Sequence, residues 1–199
     1  MDDERTRSGG NARPRRTADF SLTTVELRAV TSFAAAAAGG VLSIFEAQLP
    51  DDGRPRQALQ AALVFAEGAP RSRLQRLTAA AAHRAAKTAP SEAGFHAAMA
   101  AGDAAASAYL HPLADATQVN HLLRGAAHAA RAEELDRPTD PYAGQRAIER
   151  VAASATPTLV SVLARYPVPS PGAARVSELV HELDTILRSP DATPGADWR

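Results

Sequence analysis

Runs of alanine dominate this 199-residue chain: FAAAAAGG from Phe33, TAAAAHRAAK from Thr78 and AAMAAGDAAASAYL from Ala97. Alanine has the highest helix propensity because its side chain has no rotamer freedom to lose. Its methyl group also lets helices approach one another closely. With 47 alanines and 5% aromatic residues, the chain can form a core that is tight, helical and poor in large side chains. No stretch shows the alternation of a half-buried strand. The reading is all-α: a single compact bundle of about six to eight helices joined by short loops.

Start and stop signals place those helices. Ser21, Thr23 or Thr24 caps the first, with Glu26 in support, and Gly39-Gly40 bends or breaks it. The second spans about 55 to 66 and stops at Gly68. The third spans about 74 to 87. A fourth, about 91 to 110, starts at Ser91 and carries Phe95, Met99, Gly102, Ala106 and Tyr109 on one stripe. Asp115 caps a fifth, about 117 to 135. Thr156-Pro157 is either a kink or a fresh start after a segment at 142 to 155. Val176, Leu179, Val180, Leu183, Ile186 and Leu187 form the clearest amphipathic stripe. Residues 1–20 have the composition of a disordered arm, including Arg13, Arg15 and Arg16, and 189–199 that of a flexible tail with a frayed Trp198. The single helical domain is expected over 21–188.

Lys+Arg and Asp+Glu both number 22, so no overall basic field exists to hold a phosphate backbone, and no nucleic-acid partner is expected. The absence of cysteine removes disulfides, thiolate zinc sites, iron–sulfur clusters and cysteine nucleophiles together. No window approaches the ~18 apolar residues of a membrane span, and the N-terminus lacks a signal-like apolar stretch. A cytoplasmic protein is expected. Walker, dinucleotide-binding, nucleophile-elbow and HExxH signatures are all missing. No cofactor or metal is expected, and the balance leans away from an enzyme.

Two groups of polar residues stand out. The first lies in the alanine-rich helices. Asp103 sits in a segment too apolar to face water, so if buried it must be paired, since a lone buried carboxylate is costly. The same holds for His83. These two, with His111 and His121, are the candidate acid–base residues should the chain be an enzyme; for Asp103 and His83 a structural ion pair is the favoured account. Gln118, His121, Gly125 and His128 share a helix face, yet the two histidines lie about 10 Å apart and cannot chelate one ion alone. Tyr109 and His111 end the fourth helix, where an imidazolium suits the dipole.

The second group is LPDDGRPRQ, residues 49–57. Proline and acids suit the start of a helix; Arg54 and Arg56 oppose its dipole there. They need acids, supplied by Asp51, Asp52, Glu46 or a buried group such as Asp103. Such a corner is either a pinned ion-pair network or a site for an acidic partner.

The stretch LSIFEAQLPDDGRPRQALQAALVFAEG, followed by AAAAHRAAK and AYLHPL, resembles the Imm-five-like putative immunity proteins of bacteria. Phe45, Glu46, Pro50, Asp51, Asp52, Arg54, Pro55, Arg56 and His83 carry the resemblance, over about residues 30–135. Within the domain, 21–135 then reads as the family-like core and 140–188 as a helical extension. In place of an acid–histidine pair before the PDD, this chain has Gln48 and Leu49. The resemblance implies an antidote that binds and blocks a toxin-like protein, with Glu46, Asp51, Asp52, Arg54, Arg56 and Tyr109 as candidate contacts. The alternatives are a small-molecule binder or enzyme, for example of specialised metabolism, with a pocket lined by Asp52, Arg54, His83, Asp103, His111 and His121, or a structural oligomer such as a homodimer built on the Val176 to Leu187 stripe.

Overall fold

The computed structural model describes residues 20–189. The arm at 1–19, with Arg13, Arg15 and Arg16, and the tail at 190–199, with Trp198, lie outside the described residues. Eight helices follow one another: α1 (Thr24–Glu46), α2 (Arg54–Ala66), α3 (Arg73–Ala86), α4 (Glu92–Ser107), α5 (Thr117–Asp136), α6 (Ala143–Ala153), α7 (Pro157–Leu163) and α8 (Arg175–Arg188). No strand occurs among the described residues.

Local chemistry sets the boundaries. Thr23 and Glu26 form a reciprocal capping box on α1, and Ser72 and Gln75 form one on α3, satisfying backbone N–H groups that have no intrahelical partner. Ser91 accepts from the Gly94 N–H at the start of α4, and Asp115 accepts from Thr117 before α5. Thr156-Pro157 is a fresh cap and first-turn proline for α7 rather than a kink. Gly68 ends α2 with φ +126°, the left-handed region where a Cβ is strained; the Ala69 and Gly68 N–H groups return to the Val64 and Phe65 carbonyls. Gly39-Gly40 does not break α1, which runs through both.

Helix α4 is the centre, packing against α1, α2, α3 and α5. Ala97, Ala98, Ala100, Ala101, Ala104 and Ala105 have no exposed surface. On the stripe of larger residues Gly102 is buried, while Phe95, Met99, Ala106 and Tyr109 are partly buried and pack against the edge of the core. With neighbours on four sides, small residues are needed nearly all round the helix, and the larger ones are displaced to the remaining open side. Bulk is supplied from elsewhere, by Phe45, Phe65, Leu122 and Leu123.

Helices α6 and α8 pack on α5, and α7 on α1. The apolar stripe of α8 is used inside the chain: Leu179, Val180, Leu183 and Leu187 are all buried. It is not an exposed oligomer face. Tyr166 donates to the His111 carbonyl at 2.9 Å and meets the Phe20 ring edge-on, with centroids 4.9 Å apart. Phe20, expected within the arm, is thereby tied to the bundle.

A Cβ added at Gly40 meets nothing within 4 Å. Gly40→Ala is expected to stabilise the fold by about 0.5–1 kcal/mol through helix propensity. Gly68→Ala, at positive φ, should destabilise it by about 1 kcal/mol or more. Urea denaturation reads both; equal shifts for the two would contradict the assignment of Gly68 as a helix stop.

Candidate functional site

The α1–α2 corner answers the question its arginines pose. Helix α2 has no acid in its first turn and its cap residue, Gly53, has no side chain to offer. Asp52 takes over from one position earlier. Its Oδ1 accepts from the Arg54 backbone N–H at 3.2 Å and from Arg54 Nε at 2.7 Å, while Oδ2 accepts from Nη2 at 2.5 Å. The Arg54 guanidinium in turn holds the Asp52 carboxyl below its ordinary range against the upward push of partial burial.

Arg56 donates from Nε and Nη2 to the two oxygens of Glu46, each at 2.5 Å. Glu46 is the last residue of α1 and Arg56 lies in the first turn of α2. Each charge sits at the wrong end of its own helix dipole, and the fork-to-fork pair cancels both mismatches while setting the angle of the turn. The pairs lie at the surface, with 38% of the Arg54 and 55% of the Arg56 side chain exposed. An open cleft of 710 Å³ runs over the corner from Gln48 to Gln57, with Asp51 on its wall. Gln48 and Leu49, where the family's acid–histidine pair was expected, lie in the same cleft. The Gln48 side chain is hydrogen-bonded to Ser91 at the start of α4.

The second cluster is inside. Asp103 is 4% exposed and is held from both flanking helices. From α5, Arg124 donates Nε to Oδ2 and Nη2 to Oδ1, both at 2.8 Å. From α3, His83 Nε2 lies 3.1 Å from Oδ1. Gly102 makes room for this contact, since a Cβ there would lie 2.3 Å from His83 Cδ2. Burial pushes the Asp103 carboxyl up, but the hydrogen bonds from His83 and Arg124 outweigh it and hold the group down at about 2.

His128 Nε2 stands 3.8 Å from Asp103 Oδ2, and its Nδ1 is 2.7 Å from His96 Nδ1. The carboxylate favours the proton on His128 Nε2, which leaves Nδ1 as acceptor and makes His96 Nδ1–H the donor. Arg124 and His96 were missed by reading the sequence. Arg124 lies three residues after His121 and four before His128, on the face those histidines occupy, and a buried Asp103 demands such a partner; that was the available signal.

The remaining candidates do not join one site. Among the described residues no hydrogen bond or ion pair connects the corner with the Asp103 cluster. Asp52 and Arg54 bind each other instead. His111 is exposed, and its carbonyl serves Tyr166. Tyr109 donates its hydroxyl to the Ser72 carbonyl at 2.7 Å and lies under two guanidinium groups, Arg76 at 3.9 Å and Arg71 at 4.9 Å from the ring centroid. His121 is exposed on α5, its imidazole pushed down by desolvation and by Arg124. No three His, Cys, Asp or Glu residues are arranged to hold a metal among the described residues. Clefts of 470 Å³ between α1, α5 and α6 and of 580 Å³ between α6 and α8 are lined by none of the candidate residues.

An alanine-cored helical bundle with a pinned, ion-paired corner is thus the class of protein defined here. The chain belongs to the Imm-5 like putative immunity protein family, whose pattern matches residues 21–155. The match extends through α6, so only α7 and α8 lie beyond it. No curated protein and no solved structure matches the chain. No helix among the described residues is long and apolar enough to cross a membrane.

The buried histidine gives the fold a pH dependence with a definite sign. Burial pushes the His128 imidazole down from 6.5 to about 4, against the pull of Asp103. Between those values the unfolded chain binds the proton and the folded chain does not. Its contribution is therefore fully present above about pH 6.5 and is lost as pH falls towards 4. Lowering the pH from about 7 to about 5 is expected to cost about 2 kcal/mol through His128, read as a fall in the urea midpoint. His128→Gln should flatten that limb; an unchanged limb would contradict the buried, neutral imidazole.

Proposed function

We propose that this chain is an immunity-type protein that binds a toxin-like protein partner and blocks it, with the α1–α2 corner as a contact surface. Family membership over residues 21–155 carries the reading. The corner supports it because its charged groups already hold one another in position at the surface. Asp52 and Glu46 orient the two guanidinium groups, which lowers the side-chain freedom to be lost on binding, while Asp51 stays exposed on the cleft. Glu46, Asp51, Asp52, Arg54 and Arg56 form one contact set. Tyr109, under Arg71 and Arg76, belongs to a separate patch at the start of α3.

The rival reading, a small-molecule site or enzyme on the interior cluster, draws on the contact between His83 and Asp103. Both oxygens of Asp103 are engaged by Arg124, and a carboxyl held at about 2 is a weak base near neutral pH. The cluster's chemistry favours a structural tie between α3, α4 and α5, leaving protein binding as the stronger reading.

The test is co-expression with the polypeptide encoded by the adjacent gene. The intact chain should relieve its toxicity and co-purify with it. Arg54→Ala should weaken that complex at least about tenfold while the protein stays folded with a cooperative urea transition. An unchanged complex would remove the corner from the contact surface; neither complex nor relief with the intact chain would sink the immunity reading itself.

A further inference from the structure

The five cations from Arg71 to Lys87 stand apart from the other basic residues. Every other described arginine except Arg28 forms an ion pair with a carboxylate. Arg28 donates to the Gly68 and Ala69 carbonyls. Arg71, Arg73, Arg76, Arg84 and Lys87 have no carboxylate partner among the described residues, and no acid lies between Glu67 and Glu92 in the sequence.

Helical spacing puts Arg73, Leu77, Ala80, Arg84 and Lys87 on one face of α3, and all five are exposed. Leu77 is 59% and the neighbouring Leu74 48% exposed. Helix α3 packs on α2 and α4 with its opposite side. The α1–α2 corner provides an internal comparison: there, misplaced arginines are matched by acids of the same chain, whereas along α3 they are not.

We propose that the outer face of α3 is a docking surface for an acidic, partly apolar surface of a protein partner. Charge complementarity sets the sign, because the face has cations along its length and no acid of its own. The leucines select protein over nucleic acid. A phosphate backbone is held by cations alone, and bases are held by open aromatic faces, but the nearby Tyr109 ring is already covered by Arg76. An apolar centre rimmed with charge is the anatomy of a protein interface. The partner's contacting segment would present carboxylates flanking an apolar stripe. This surface is distinct from the corner and does not require the corner to be a contact.

The probe is a fluorescent amphipathic helical peptide with leucine on one face and glutamate along its flanks, titrated against the full chain at low and high salt. Binding should be salt-sensitive. It should weaken at least about tenfold in Arg73→Glu/Arg84→Glu/Lys87→Glu and measurably in Leu77→Ser. These side chains are exposed and have no ion-pair partner, so the urea midpoints should stay close to that of the parent. No binding by the parent chain, or binding unaffected by either variant, would overturn the proposal. Tighter binding of an oligothymidylate than of the peptide would overturn it in favour of a nucleic-acid surface. Each outcome is independent of whether the adjacent-gene product forms a complex.

Discussion

The carboxylate of Asp103 is the constraint on which the bundle turns. It lies on the central helix, surrounded by alanines whose small size draws the neighbouring helices close. A charge in that setting is tolerable only if its hydrogen bonds are made internally. Arg124 reaches it from α5 and His83 from α3, so the interaction that satisfies the charge also sets how α3 and α5 lie against α4. The cost of burial is offset by a directional tie that an all-alanine interface would lack. His128 and His96 extend the polar network towards the start of α4, and Gly102 opens the space in which His83 approaches.

With the interior tied in this way, the surface is free to segregate its charge. On α5, α6 and α8 the arginines are matched to acids of the same chain, as in the contacts of Arg175 with Glu134, Glu178 and Glu182. At the α1–α2 corner the matching compensates two unfavourable dipole placements and leaves an open, charged cleft. Along α3 there is no matching. Among the described residues, the basic side chains are therefore matched almost everywhere except along α3. That arrangement suits recognition of another protein better than chemistry at a single buried site.

Much of this was legible from local signals. The Thr23–Glu26 box, Ser91, Asp115, Gly68 and the Thr156-Pro157 start are all within a few residues of what they act on, and sequence distance alone identifies them. Asp52 and Glu46 could be named as partners for the arginines for the same reason. The need for Asp103 to be paired followed from its alanine surroundings, but Arg124 lies 21 positions away, and only the packing of α4 on α5 brings it near. That α4 is buried on nearly all sides was not legible, because its alanines suit close packing on any face and do not say how many neighbours surround it. Phe20 escaped notice because its anchor, Tyr166, is distant in sequence and close only in the folded chain.

A double-mutant cycle on Asp103→Asn and Arg124→Gln, followed by urea denaturation near neutral pH, bears most directly on the central tie. Arg124 keeps 36% of its side chain exposed, so solvent screening lowers the coupling below that of a fully buried pair. A coupling energy of about 2 kcal/mol is nevertheless expected, above the ~0.2–1 kcal/mol of exposed pairs. A coupling under about 0.5 kcal/mol would contradict the account, because the carboxylate would then be held by something other than the guanidinium that grips both its oxygens.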